Sequence, residues 1–585
     1  MIDNNFFIEK IKELYSIILQ PIESMYKITA INKYKKFLGV GLNSTFGEIY
    51  INILKGNKNL GVVYTPNEIS VYMIREIIKK EDLINNAFIK VIDPSCGCGN
   101  ILIPCFMYLY ELYMENLDEI NKYNDVKLNK SNISEHIIKN NLYGIDIDEL
   151  AIKILIIDLF VKSKFIEINN FKIADFLIDN INEKFHFIIG NPPYVGHKLI
   201  GKEYFRKLKC KYEEVYNNKG DMSYCFFKAA LKFLKSNGKV AFITSRYFIE
   251  SQSGEKLRKF IKENFFMYKL VDFYGLRPFK NIGIDPVIIF LGKDKIKENR
   301  QIEIIKPFNH NKKEFYNSLF LNNGNCLKKF YISKSYLNND GWVLKTKEEF
   351  KIIEKINSKS VFSLKDICNS YQGVITGCDK AFIVTKEDII NENLEKDVIR
   401  PWIKNSCIEK NHIKDNLSYI IYSDLISDIE SYPNIKNHIK PFKNKLLKRR
   451  ECVKNMRKWY ELQWGRDYRI FEEEKIVFPY KSSKNRFALN KGSYFSADVY
   501  CIILKKNNEF TYSDLLDILN SDLYQFYFQS FGKKLGENIY EYYPNNLMKI
   551  KLPDVSKIKS FEDDSIYTYY QLEEKEIDIV KENCL

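Results

Sequence analysis

Apolar residues fall into three regimes of spacing along the chain. In residues 1–60 they recur at helical intervals, as in Phe6, Phe7, Ile11, Leu14, Ile17, Ile18 and Leu19, which predicts a small helical extension. From 61 to 295 short β-rich runs alternate with longer amphipathic stretches. The predicted strands are 90–93, 142–147, 171–174, 185–189, 239–244, 268–273 and 286–291. Seven strands with helices between them predict an α/β fold with a doubly wound, largely parallel sheet. The last two are joined by a loop too short for a crossover helix, so the sheet is expected to close on an antiparallel strand. The polar stretch 115–140 reads as a surface helix or insertion. Residues 296–345, with Asn and Lys clusters at 309–313 and 322–325, read as a connector. From 346 to 585 the βαβ rhythm is gone, and a second domain of mixed α+β type is expected.

Length and composition agree with that division. A chain of 585 residues exceeds one hydrophobic core, so two or three domains are expected. Apolar content of 45% against 28% charged marks a globular chain rather than a disordered one. Lys and Arg outnumber Asp and Glu by 90 to 75, a net charge of +15. Such an excess attracts polyanions, nucleic acid first, although a solvated basic surface would give the same count. No apolar run reaches the roughly 18 residues of a membrane span, and Met1-Ile2-Asp3-Asn4-Asn5 does not open a secretory signal. Twelve cysteines without a Cys-x-x-Cys pair read as reduced thiols of a cytoplasmic protein. Neither they nor the six histidines form a metal motif, so no metal is expected.

The candidate chemistry lies at the predicted strand ends. Asp93-Pro94-Ser95-Cys96-Gly97-Cys98-Gly99-Asn100 follows the first strand and opens the helix predicted at 101–113. Glycines there let the backbone approach a ligand, and the helix N-terminus offers free N–H groups. The third glycine of the dinucleotide fingerprint is missing, which argues against NAD. Asp146, in Gly144-Ile145-Asp146-Ile147-Asp148, is placed to accept hydrogen bonds from both ribose hydroxyls. The insertion at 115–140 accounts for its long spacing from the glycine turn. Asp175-Phe176 ends the third strand, where a carboxylate can accept from an adenine amine and the ring can lie beside the base. Any one of these fits a surface acid or a plain turn. In order, at three successive carboxyl ends of one sheet, they outline an adenosine pocket.

Gly190-Asn191-Pro192-Pro193-Tyr194 follows the fourth strand directly. Two prolines fix φ and remove two N–H donors, so the surrounding carbonyls become acceptors held in place. The Asn191 side-chain oxygen and the Pro192 carbonyl can accept both hydrogens of a planar amine. That frees the nitrogen lone pair for in-line attack on a sulfonium methyl. Tyr194 offers a flat face on which a base can stack.

The order of these motifs resembles that of the TaqI-like, gamma-class amino-methyltransferases, in which Tyr-Thr-Pro (Tyr64, Thr65 and Pro66) precedes the glycine turn. In that family a C-terminal target recognition domain follows the Asn-Pro-Pro-Tyr loop. The resemblance spans about residues 60–550 and implies a class I, Rossmann-like methyltransferase sheet. It also implies a site-specific DNA methyltransferase that flips an adenine and methylates its N6 with S-adenosylmethionine. The implied cofactor contacts are Tyr64, Thr65, Pro66, Asp93, Ser95, Cys96, Gly97, Asp146, Ile147, Asp175, Phe176, Asn191 and Phe226. Phe279, in Arg277-Pro278-Phe279-Lys280, would stack on the extruded base opposite Tyr194.

Beyond residue 346, Gln372 to Phe382 carries a glycine-bearing signature also found in such recognition domains. Residues 440–466 hold ten Lys or Arg against two acids, with Trp459, Tyr460 and Trp464 among them. Basic residues beside aromatics suit phosphate contact and base readout in double-stranded DNA. The expected contacts are Lys448, Arg449, Arg450, Arg457, Lys458, Trp459, Trp464, Arg466 and Lys481. Arg450-Glu451-Cys452, the runs 458–466 and 496–500, and the loop 191–198 resemble the clostridial orphan adenine methyltransferases. That likeness implies an adenine-rich, non-palindromic site and no paired nuclease; separately, no obligatory protein partner is expected. Methylation of RNA or of a glutamine side chain, a nuclease fusion, and a catalytically silent DNA-binding subunit are the competing readings.

Overall fold

The computed structural model describes residues 4–54, 63–196, 199–217, 220–279, 283–293, 301–308, 311–321, 326–415, 418–506, 508–536, 538–558 and 560–584. Met1, Ile2, Asp3, His197, Lys198, Lys280 and the 322–325 cluster lie outside them. The chain divides into two units, Met1–Leu344 and Lys345–Leu585.

The first unit is built on β1 (Val91–Asp93), β2 (Leu142–Asp146), β3 (Phe171–Ile173), β4 (Phe185–Gly190), β5 (Leu234–Ser245), β6 (Phe266–Asp272), β7 (Pro286–Gly292), β8 (Ile302–Pro307) and β9 (Leu327–Ile332). Their order in one sheet is β3-β2-β1-β4-β5-β7-β6-β8-β9. Strands β3, β2, β1, β4 and β5 run parallel, and β7 is antiparallel to both β5 and β6. This is the expected doubly wound sheet closing on an antiparallel strand. Neighbouring residues along a strand serve opposite faces: Ile189 and Ala241 join the core on one side, Ile188 and Val240 the core on the other. A strand buried on both faces reads as an unbroken apolar run, which is why β4, β5 and β7 stood out in the sequence.

The stretch expected as a connector, 296–345, supplies two further strands. β8 pairs parallel with β6 and antiparallel with β9. Ile302 and Ile304 are buried while Glu303 ion-pairs with Lys269 at 3.0 Å, a period-2 pattern hidden among Lys and Asn. The helical extension also belongs to this unit. Phe7, Ile11, Leu14 and Ile18 of the helix Asn4–Ile18 are buried in the same core as β1. The helix Phe46–Leu54 is held at its start by Asp158, which accepts from the Phe46 and Gly47 amides at 3.1 and 3.0 Å. Satisfying those orphan N–H groups fixes where this helix meets the helix Glu149–Ser163. Burial pushes the Asp158 carboxyl up to about 7.

The second unit, taken by itself, is α+β. One four-stranded sheet comprises Cys368–Gln372, Val499–Leu504, Lys475–Pro479 and Ala488–Asn490 in spatial order. A second comprises Ile383–Thr385, Ser418–Ile421, Ile399–Ile403 and Tyr494–Phe495. The helices Tyr512–Asn520, Asp522–Phe531, Asp563–Tyr570 and Glu574–Cys584 follow or flank them in sequence. No described helix in either unit is long and apolar enough to cross a membrane.

At the carboxyl ends of β5 and β6, Arg246 donates through Nε and Nη2 to the two carboxylate oxygens of Asp272, both at 3.1 Å. Their side chains are 3% and 0% exposed. Arg246 Nη1 also lies 2.7 Å from Glu250, so losing Asp272 leaves the buried guanidinium with one of its two carboxylate partners. Asp272→Ala should therefore destabilise the protein by about 3 kcal/mol, the low end for a broken buried pair, read as a lowered urea midpoint. Asp467→Ala, which removes the solvent-exposed partner of Arg469, should leave that midpoint in place.

Candidate active site

The turn after β1 brings the first group of expected residues together. Gly97 and Gly99 have φ of +48° and +90°, and a Cβ on Gly99 would stand 2.4 Å from Leu155. Only glycine fits there, and the result is an amide aimed at the next strand end. Gly97 N donates to Asp146 Oδ2 at 2.8 Å, while Asp148 N donates to Oδ1 at 2.9 Å. The Asp146 carboxylate is thus oriented by the backbone with lone pairs to spare. Burial raises its pKa, and the two amides oppose that rise. Asp93, at the end of β1, is 2% exposed and accepts from Ser95 N at 3.0 Å. Burial outweighs that bond and pushes Asp93 up to about 8.

The third acid is arranged in the same manner. Asp175 accepts from Leu177 N at 2.8 Å and from the Tyr204 hydroxyl at 2.7 Å. Phe176 and Phe226 stack with centroids 5.8 Å apart and planes 14° apart. These groups line one cavity of about 250 Å³ together with Tyr64, Thr65, Ser95, Cys96, Gly97, Ile147 and Asn191. Twelve of the thirteen expected cofactor contacts are therefore in its wall; Pro66 instead precedes the helix Asn67–Ile77 as its N-cap residue.

Asn191 has an uneven environment. Its Nδ2 donates to the Val63 carbonyl at 2.8 Å, which settles which way the amide faces. Its Oδ1 is buried and has no hydrogen-bond partner. The loop that carries it is pinned at its far end by Met222 N donating to Val195 O at 3.1 Å and by a bridge between Gly196 and Asp221. A buried, unpaired acceptor costs roughly 1–3 kcal/mol.

Pro193 lines the cavity; Pro192, Tyr194 and Phe279 do not. Tyr194 is 7% exposed and its hydroxyl donates to the Ile243 carbonyl at 3.2 Å. Its ring contacts that of Phe279, itself 5% exposed, with centroids 6.3 Å apart and planes tilted by 54°. The two expected stacking rings are therefore brought together, but tilted against each other rather than as two parallel plates with room for a base.

Tyr204, Val63, Val195, Met222 and Asn100 complete the wall and were not picked out from the sequence. Val63 acts through its backbone carbonyl, which no side-chain pattern reports. Tyr204 lies on the helix Lys202–Lys211, whose sequence reads as an ordinary surface helix.

In the second unit, Lys448, Arg450, Lys458, Trp464, Arg466 and Lys481 are exposed, as a binding face requires. Trp459 is partly buried, with Lys443 Nζ 5.1 Å from its ring centroid. Arg457 is partly buried and paired with Asp424 at 3.0 Å. Arg449 departs from expectation. It is buried, and its guanidinium donates to the carbonyls of Leu446, Thr376, Trp459 and Glu461 at 3.1, 3.1, 3.0 and 2.9 Å. With those donors spent on the fold, Arg449 is a structural tie and not a nucleic-acid contact.

Residues 79–177 match the DNA-methyltransferase domain of MmeI, 140–279 the Eco57I restriction-modification methylases, and 400–552 the TaqI-like C-terminal specificity domain. Fold, site and these matches define a DNA methyltransferase with S-adenosylmethionine as its cofactor, similar in sequence to type II methyltransferases. The type II methyltransferase M.BstVI of Geobacillus stearothermophilus is 24% identical over 444 residues, covering 70% of this chain and 78% of that protein. M.BanIII of Aneurinibacillus aneurinilyticus is 25% identical over 511 residues, covering 77% and 82%. Among solved structures, the restriction-modification enzyme MmeI in complex with DNA shares the fold with a TM-score of 0.61 at 17% identity. That match covers 94% of this chain and 81% of MmeI.

The raised pKa of Asp93 gives a signed expectation. Burial pushes the Asp93 carboxyl up to about 8, and a sulfonium cation bound beside it would favour loss of its proton. Affinity for S-adenosylmethionine should rise between about pH 6.5 and pH 8.5, by at most about tenfold per unit. Calorimetric titration should show a shallower rise for S-adenosylhomocysteine, which lacks the sulfonium charge, and a flat profile for Asp93→Asn.

Proposed function

We propose that the protein is a site-specific DNA adenine-N6 methyltransferase that flips its target base and transfers the methyl group in one direct step. The observation that carries this is Asn191: a buried amide oxygen without a partner, in the wall of the cofactor cavity, with its nitrogen committed to Val63. An exocyclic amine is a donor of the kind that oxygen lacks. A second hydrogen of the same amine would go to the Pro192 carbonyl. Accepting both hydrogens leaves the nitrogen lone pair free for attack. The bound cofactor supplies the methyl group on a cationic sulfur. Asp146 would accept from its ribose hydroxyls, and Asp175, held by Tyr204 and Leu177, would accept from its adenine amine.

The cysteine in the same wall speaks against methylation at a ring carbon of cytosine. Such chemistry needs a thiolate nucleophile, and burial holds the Cys96 thiol well above its ordinary pKa. A base stacked in a duplex cannot reach a recessed oxygen, so it must be extruded at a cost of about a few kcal/mol. DNA held by the exposed basic residues of the second unit would offset that cost. Opening the Tyr194–Phe279 contact into two parallel faces would seat the base.

The finer reading is an orphan enzyme acting on an adenine-rich, non-palindromic site. It rests on the likeness of 191–198, 450–452, 458–466 and 496–500 to the clostridial adenine methyltransferase CamA. Consistent with action on chromosomal DNA, we place the protein in the cytoplasm.

Tritium transfer from labelled S-adenosylmethionine to duplex DNA tests the activity. Asn191→Ala should reduce it by on the order of a hundredfold or more while cofactor binding persists. Single-molecule sequencing of DNA from cells carrying either form should show N6-methyladenine at one motif with the wild type and none with the variant. Adenine methylation that is unchanged by the variant would overturn the assignment.

A further inference from the structure

Arg466 holds a backbone conformation that its residue type disfavours. Eight described non-glycine residues have positive φ. Asp125, Lys164 and Gln571 end helices, a position that favours the left-handed region. Asn393, Asn411 and Asn455 belong to the residue type that best tolerates it. Tyr274 and Arg466 remain, and Arg466 has φ of +74°.

The surrounding fold enforces this turn. The buried Tyr422 hydroxyl donates to the carbonyls of Gly465 and Arg466 at 3.1 and 2.8 Å. A Cβ on Gly465 would lie 2.2 Å from Asp424 Oδ2, so the chain is pressed against that carboxylate. Trp464 and Ile375 exchange backbone hydrogen bonds at 2.9 and 3.0 Å. The side chain is fixed as firmly. Arg466 Nε donates to Gly373 O at 3.2 Å and Nη2 to Gln372 Oε1 at 2.7 Å, while Gln372 Nε2 donates to Ala497 O at 3.1 Å. Three separate segments thus converge to immobilise one guanidinium.

That guanidinium is nonetheless exposed, and it has no carboxylate within ion-pair distance among the described residues. Its Nη1 makes no hydrogen bond to the described chain, so Nη1 and the second hydrogen of Nη2 form a free end-on pair of donors. Trp464, 38% exposed, is two residues away. Arg449, in the same basic run, shows what a purely structural arginine looks like here: buried, with its donors taken by carbonyls. Strained backbone that is clamped by its surroundings and presents an unused polar group to solvent is a mark of function. A phosphate can also take a paired guanidinium, but a lysine serves it as a point charge, and the exposed Lys448, Lys458 and Lys481 can supply that. A paired, oriented set of donors matches the O6 and N7 acceptors of guanine.

We propose that Arg466 is a specificity-determining residue that reads the edge of one guanine in the recognition site, with Gln372 positioning it. The proposal rests on the reading of the protein as a DNA methyltransferase. The test uses duplexes carrying the site found by sequencing and every single base-pair change within it, with tritium transfer compared between the wild type, Arg466→Gly and Lys448→Ala. Glycine accepts positive φ without strain, which offsets part of the loss of the hydrogen bonds to Gly373 and Gln372, so Arg466→Gly should remain folded, with a melting temperature within a few degrees of the wild type. It should lose about ten- to a hundredfold on the native duplex and stop discriminating at one G·C position. Lys448→Ala should weaken all duplexes by one factor and flatten the salt dependence. If Arg466→Gly also lowers all duplexes by one factor, Arg466 is a phosphate contact and the proposal falls. If the wild type methylates no duplex, the parent reading fails first, in an arm independent of either variant.

Discussion

The Asn191 amide is satisfied on one side only, and the arrangement of the first unit follows from that imbalance. An asparagine that faced water could turn either way and would hold no substrate in place. Here the Val63 carbonyl takes the Nδ2 hydrogen at 2.8 Å, and burial keeps water from the oxygen. Maintaining a buried unpaired acceptor costs free energy, and rigidity on all sides is needed to bear it. The rigidity comes from β4 in the centre of the sheet, from two prolines, and from the Val195–Met222 and Gly196–Asp221 ties.

The same logic of backbone groups orienting a side chain recurs at each acid of the cofactor wall. Gly97 and Asp148 amides fix Asp146, the Ser95 amide fixes Asp93, and the Leu177 amide fixes Asp175. Carboxylates held this way lose little on meeting a ligand because they are already in position. The cost appears as burial, which raises the pKa of Asp93 and Asp146. A cationic ligand bound beside these acids would offset that penalty. The helical extension contributes to the same neighbourhood: the Tyr50 hydroxyl donates to Asp148 at 2.7 Å, two residues from Asp146.

In the second unit the contrast between Arg449 and Arg466 shows why charge counts are poor guides to contact. Both belong to one basic run. Arg449 is turned inward, where four carbonyls use its donors and take the place of water. Arg466 is held at the surface by two acceptors and keeps one edge unused. Aromatic neighbours do not separate the cases either, since Tyr460 is buried while Trp464 is exposed.

The sequence by itself determined the local and the periodic. Apolar runs bounded by turns placed seven strands, and Asp93–Gly97, Asp146, Asp175 and Asn191–Tyr194 stood at strand ends in an order that specifies an adenosine pocket beside a planar amine. These features were legible because each depends on residue type at fixed spacing along one strand or turn. Tertiary structure decided what depends on partners far apart in sequence. It made the last two strands of the sheet, β8 and the edge strand β9, from the presumed connector and folded the N-terminal helices into the main core. It placed Tyr204 on Asp175 and turned Arg449 inward. Above all it gave Asn191 a partner on one side only, across 128 residues of chain. Hydrogen bonding between distant segments leaves no periodic trace, so the chemistry of a residue can be read from sequence while its occupancy by neighbours cannot.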